Sequence, residues 1–292
     1  MAETLQRNQE RLENVKVIEP LLGALRTISL GAWRAALSKK SSIEYYTNNL
    51  LLILDQIAPT ITTFPRVKPV EEEIPFENNL VIVIGGSRGL CGKFDVNLLS
   101  KLESEYFGKP GKNMRIWMSG ERLIHSAEQR DVEVQWVIPL NGKSYPSYSS
   151  IYNLARKMLN EYENHAINEV NVLYNHYDNA GKYHPDMVKL LPFDVKKRKP
   201  QQEVLDWPEP IIETEPIAIY ERVMEQLITV SLYNYFLDSS ASEHSTRYTL
   251  MEEAGKNALR MIEELNLIVQ MGRRHAITQE MQELAIGAGL TR

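Results

Sequence analysis

The segment Ser240–Leu290, SASEHSTRYTLMEEAGKNALRMIEELNLIVQMGRRHAITQEMQELAIGAGL, decides the fold. Its residues Met251, Ala254, Ala258, Met261, Leu265, Ile268 and Gly272 are apolar or small and alternate three and four apart. That spacing averages about 3.5 residues, so one narrow seam stays turned toward a partner helix along the whole length, as in a coiled coil. A polar stretch, GRRHAITQE, and a small-residue end follow. No proline occurs after Pro216. One helix of up to ~110 Å is therefore permitted at about 1.5 Å per residue. This end of the chain is predicted to be a rod.

The other end supplies a partner. Val15, Ile18, Leu22, Leu25, Ser29, Ala32 and Ala36 step three and four, and Ile43, Tyr46, Leu50, Ile53 and Ile57 continue the pattern to Pro59. Ser29, Ala32 and Ala36 against Ala254, Ala258 and Gly272 would let two helix axes approach closely. Pro20 lies inside this second rod, where it lacks an N–H and crowds the carbonyl four residues back, at roughly 3 kcal/mol. A kink there is expected in preference to a new helix opening at Pro20.

Between the rods the pattern changes. Pro59, Pro65, Pro69 and Pro75 around Glu71, Glu72 and Glu73 read as an exposed connector. Strands are then expected at 79–85, 114–118, 132–138, 170–177 and 187–191, with helices at 94–106, 121–129 and 151–165. This alternation, with short connections, predicts a mostly parallel sheet covered on both faces. Lys196-Lys197-Arg198-Lys199-Pro200 and the prolines 208, 210 and 216 form a return linker. The chain thus divides into a rod helix over 1–58, an α/β domain over 78–195 and a second rod helix over 211–290.

Composition narrows the function. The 292 residues are 43% hydrophobic and 24% charged, ordinary for a folded protein with a buried core. No apolar run reaches membrane-spanning length, and the N-terminus MAETLQRNQERLEN has neither a secretory nor a transit-peptide pattern. A formal net charge of −5 gives no broad reason to bind nucleic acid. A single cysteine, Cys91, rules out an internal disulfide and argues against a cysteine-based zinc site.

Four groups of residues are candidates for chemistry. Gly85-Gly86-Ser87-Arg88-Gly89-Leu90-Cys91-Gly92-Lys93 lies between a strand and a helix, where a phosphate-cradling loop would sit. Ser87 stands where the Walker pattern needs glycine and Phe94 where it needs Ser or Thr, so a tight turn through Arg88, Gly89 and Gly92 is the expectation. His176 and His184 could meet across a hairpin, but no carboxylate or cysteine is seen to complete a metal set. Ser242-Glu243-His244 invites comparison with a triad; neighbours on a helix point in different directions, so a solvated helix surface is expected instead. Arg273 and Arg274 read as a charged helix face, and their guanidinium forks suit carboxylates.

The wording of these segments resembles the gamma subunit of F-type ATP synthases. The likeness rests on Ser242-Glu243-His244, Arg247, Met251, Asn257-Ala258, Arg273, Ile277-Thr278-Gln279-Glu280 and Gly287-Ala288 in the C-terminal rod. Upstream, Ser87–Phe94 looks like the family's SDRGLCGGFN, and Tyr174-Asn175-His176-Tyr177 with Leu190-Leu191-Pro192 looks like two further family segments. The N-terminal rod lacks the family's threonines and lysine and carries Pro20, Gly23 and Gly31, Ser87 replaces the family's Asp, and Arg274 its Gln, so the chain reads as a diverged member.

The resemblance implies a fold, α/β plus coiled coil: an antiparallel coiled coil of N- and C-terminal helices with an inserted Rossmann-like α/β domain. It implies a central rotor shaft of a proton-translocating ATP synthase, not an enzyme by itself, with no cofactor, metal or direct small-molecule ligand. Partners would be the alpha and beta subunits of the catalytic ring, contacted by Arg273, Arg274, Thr278 and Glu280, the epsilon subunit and the membrane c-ring. The place implied is the cytoplasmic face of a bacterial inner membrane, or the matrix or stroma side in an organelle. Chloroplast relatives carry an added regulatory cysteine pair, which this chain lacks. A gamma-like structural adaptor without a catalytic ring is the alternative, and a nucleotide-dependent enzyme a weaker third.

Overall fold

The computed structural model describes residues 2–57, 79–106, 114–139, 145–193 and 212–287. The expected connector at 60–77 and most of the return linker lie outside them. The described chain runs α1 (Ala2–Ile57), β1 (Asn79–Ile84), α2 (Phe94–Tyr106), β2 (Met114–Ser119), α3 (Glu121–Glu128), β3 (Trp136–Ile138), α4 (Tyr148–Glu163), β4 (Glu169–Asn179), β5 (Lys182–Leu191) and α5 (Pro216–Gly287). Helix α1 is continuous through Pro20, so no new helix opens there. Strand β3 is shorter than its sequence pattern, and β5 begins five residues earlier than expected.

Two compact units emerge, one of residues 1–30 with 247–292 and one of residues 31–246. In the first, α1 and α5 pack antiparallel. Leu12, Leu265 and Val269 are buried together, with Leu5, Val15 and Ile262 against them. Leu5 sits so close to Gly272 that a Cβ there would lie 2.8 Å from its Cδ1. The seam is shifted from the expected one at two places: Met261 and Ile268 are exposed, and Ile262 and Val269 take the inward positions. On α1 the inward position is likewise Glu19 rather than exposed Ile18. A repeat averaging 3.5 residues tolerates a step of three or four, and where two bulky residues are adjacent the spacing does not choose between them.

The second unit is built on a five-stranded sheet of order β3-β2-β1-β4-β5. Strands β3, β2, β1 and β4 run parallel, and β5 returns antiparallel to β4. β1 reads NLVIVI with every residue buried, as a central parallel strand covered on both faces requires. On one face Val81, Val83, Ile116, Met118 and Leu173 meet Phe94, Leu98, Leu99 and Leu102 of α2 and Leu123 and Ala127 of α3. On the other, Leu80, Ile82, Val170 and Val172 meet Ile151, Leu154 and Met158 of α4 and Ile228, Leu232 and Phe236 of α5. The long C-terminal helix is therefore one of the layers covering the sheet, not only a rod beside it. Leu50, Leu54 and Ile57 of α1 form a further buried cluster with Tyr220, Val223, Met224 and Leu227 of α5.

Candidate functional site

Strand order reverses at β1, between β2 and β4, and the crevice beyond such a point is where doubly wound sheets hold ligands. Here α5 fills that position. Ser239 Oγ donates to the Ile84 carbonyl at 3.1 Å, and Ser242 Oγ donates to the Asn175 carbonyl at 2.9 Å, pinning the helix across the ends of β1 and β4. Asn175, fully buried, donates in turn to the Phe94 carbonyl at 3.0 Å.

The loop after β1 gives its backbone donors to carboxylates of the chain itself. Gly86 N–H donates to Asp95 in the first turn of α2 at 2.8 Å. The N–H groups of Ser87 and Arg88 point to the Glu243 carboxylate at 3.5 and 3.4 Å. These last two contacts are long and part-buried, so their strength comes from the charge of Glu243, which is itself only 3% exposed. The positions a phosphate would take are held by Glu243 and Asp95. Ser242, Glu243 and His244 are all buried, which corrects the expectation of a solvated helix surface. Motifs 155 residues apart in sequence, at Arg88 and Glu243, are thus one structural junction, a relation no helical periodicity could reveal.

Within the turn, Leu90 and Gly92 have φ of 68° and 62°. Arg88 meets Glu243 through its backbone, and a Cβ on Gly89 would point into open space. The close approach is made elsewhere: a Cβ on Gly85 would lie 2.5 Å from Leu123 Cβ, and one on Gly120 would lie 2.7 Å from the carbonyl oxygens of Gly85 and Gly86.

A second polar centre lies five residues before Glu243 on α5. Asp238, 3% exposed, sits 2.7 Å from Lys40 Nζ of α1 and 2.7 Å from His176 Nδ1 of β4. A lysine and a histidine from different elements converge on one buried carboxylate. Burial, reinforced by Asp238, pushes the neighbouring Tyr174 phenol upward. Sequence reading missed Asp238 and Lys40, since neither belongs to a spaced motif.

The residues expected to contact partners lie apart from this junction. Arg273, Arg274, Thr278 and Glu280 are all exposed on α5. Thr278 Oγ1 donates to the Arg274 carbonyl at 2.9 Å. Beyond Gly272 the stretch to Ile286 is exposed except for Ala285, and it includes Ile277, Met281, Leu284 and Ile286. Among the described residues no group of three or more His, Cys, Asp or Glu is arranged to hold a metal ion, and no helix is long and apolar enough to cross a membrane.

Among the described residues, a doubly wound sheet carries its own helix α5 across the crevice end, and a long antiparallel helix pair forms the other unit. The family model described as ATP synthase matches residues 4–289. The ATP synthase gamma chain of Staphylococcus carnosus is 25% identical over 283 residues, covering 95% of this chain and 96% of that one. Among solved structures, a chain of the Euglena gracilis mitochondrial ATP synthase in rotational state 3 aligns with a TM-score of 0.64 at 15% identity, covering 100% and 97% of the two chains. A chain of the rotor of the same enzyme in rotational state 1 aligns with a TM-score of 0.61 at 14% identity, covering 95% and 100%. At such identities the structures speak to the fold. The chain belongs to the ATP synthase family of that model, the family of the gamma chains.

Proposed function

We propose that this chain is the central rotor shaft of a rotary F-type ATP synthase, coupling ion-driven rotation to ATP synthesis or hydrolysis in the catalytic ring without performing chemistry itself. One observation carries the reading: past its pairing with α1 at Gly272, α5 continues as an exposed helix bearing both apolar residues and the Arg273-Arg274 pair. A shaft acts by presenting different faces to different catalytic subunits, so each site is biased by the contacts that favour one of its states. The partners are then the alpha and beta subunits around the rod, with the epsilon subunit and the membrane c-ring at the sheet end. The protein is peripheral to the membrane, on the cytoplasmic face in a bacterium or the matrix or stroma side in an organelle.

Arg273, Arg274, Thr278 and Glu280 are assigned to the ring contact. A charge-assisted bond from a guanidinium is worth about 1.5–3 kcal/mol. Replacing Arg273 and Arg274 with alanine, which a helix accepts readily, is expected to lower ATP synthesis while the complex still assembles. Wild-type synthesis in a fully assembled double variant would remove both residues from the contact. Purification of the tagged chain from its own cells tests the shaft role more broadly: alpha and beta subunits are expected with it, whereas other partners would favour the adaptor.

A further inference from the structure

His176 and His184 are direct cross-strand partners in the β4–β5 hairpin, so their side chains leave the same face of the sheet. Their ring centroids are 5.2 Å apart with the planes inclined at 58°. Each ring has one nitrogen near a carboxylate: His184 Nδ1 is hydrogen-bonded to Asp178 at 3.0 Å, and His176 Nδ1 lies 2.7 Å from Asp238 without hydrogen-bond alignment. At His184 the carboxylate bonded to Nδ1 holds a proton there and leaves the Nε2 lone pair free, as at metal-binding imidazoles. The spacing suits that use, because two imidazoles bound to one tetrahedral ion at ~2.0–2.1 Å place their centroids about 5 Å apart. Both side chains reach solvent, at 37% for His176 and 55% for His184.

We propose that His176 and His184 form a two-imidazole site for a divalent first-row transition cation, Cu2+ or Zn2+, with water completing its coordination. Imidazole nitrogens select these ions over Mg2+ and Ca2+, which take oxygen ligands, and Cu2+ binds more tightly than Zn2+. Asp178 and Asp238 are positioning residues. Lys40 Nζ, 2.7 Å from Asp238, holds that carboxylate in place. A bound ion would cross-link the two strands of the hairpin, and through Asp238 the site is continuous with α5 and α1. The inference stands independently of the rotor reading.

The test is calorimetric titration of the full, tag-free chain with Cu2+ and separately with Zn2+ in a non-coordinating buffer, alongside thermal melts. One equivalent is expected to bind with micromolar or tighter affinity, Cu2+ the tighter, and to raise the melting temperature. His184→Gln and His176→Gln should each weaken binding at least tenfold and abolish the thermal shift, with Asp178→Asn weakening it by roughly 10-fold or more. His184 is exposed, so its variant decides the matter even where His176→Gln disturbs folding. Absence of saturable binding at one equivalent, or wild-type affinity in His184→Gln, would overturn the site.

Discussion

Glu243 faces the backbone N–H of Arg88 at 3.4 Å, an acceptor from the middle of α5 meeting a donor in the loop after β1. The carboxylate serves where a phosphate would sit in a nucleotide-binding relative of this topology. It converts a potential ligand site into an internal joint between the sheet and the long helix.

Removing that joint has a graded cost. Glu243→Gln keeps an acceptor without its charge and is expected to cost about 1 kcal/mol. Glu243→Ala removes the carboxylate from part-buried donors, leaves a cavity, and should cost about 2–4 kcal/mol. Urea unfolding of the two variants measures this, and equal, near-zero effects would show that the loop does not depend on Glu243.

Two glycines of the same region should respond oppositely. Gly120 has φ 106°, and its Cβ would strike the carbonyl oxygens of Gly85 and Gly86, which are backbone and have nowhere to go. Gly120→Ala is expected to destabilise by about 2–4 kcal/mol. Gly89→Ala meets nothing and should stay within about 0.5 kcal/mol of wild type. Melting temperatures of the pair decide it.

The phase of the rod seam is testable by two substitutions three residues apart. Leu265 is buried at 6% exposure and Ile268 is open at 48%. Leu265→Asp buries an unpaired charge and should cost several kcal/mol, on the order of 3. Ile268→Asp should leave stability nearly unchanged. Comparable losses in the two variants would restore the phase expected from spacing alone.

Alkali should loosen the sheet unit above the pH at which solvent-exposed tyrosines ionise. Burial, aided by Glu169, pushes Tyr106 up to about 12, and burial raises Tyr235 to about 12. Both exceed the unfolded value of about 10, so the stabilisation from keeping these phenols neutral is complete below pH ~10 and is lost as pH climbs toward ~12. Thermal melts between those values should show a steep decline that Tyr106→Phe reduces. A flat profile would contradict the burial of these rings.

Much of the fold could be read from the chain because its signals are periodic. The 3.5 spacing announced the helix pair, and the runs NLVIVI and MRIWMS announced parallel strands. The errors are equally physical. Met261 and Ile268 each stand beside another bulky apolar residue, so spacing alone could not choose the inward one. The brevity of β3 reflects pairing with β2 over only Trp136–Ile138, which depends on its neighbour. Glu243 and Asp238 were unreadable as junction residues, since their partners Arg88, Lys40 and His176 are remote in sequence. His176 and His184 were seen as able to meet; the carboxylates beside them come from α5 and the hairpin itself.

The central claim is that this chain turns. The most direct measurement immobilises the assembled alpha–beta ring, attaches a bead to an exposed position of the sheet unit such as Lys182→Cys in a Cys91→Ala background, and supplies Mg-ATP. The account predicts unidirectional stepwise rotation that stops when ATP is removed. ATP hydrolysis by the ring with a correctly attached bead that shows only Brownian motion would contradict it.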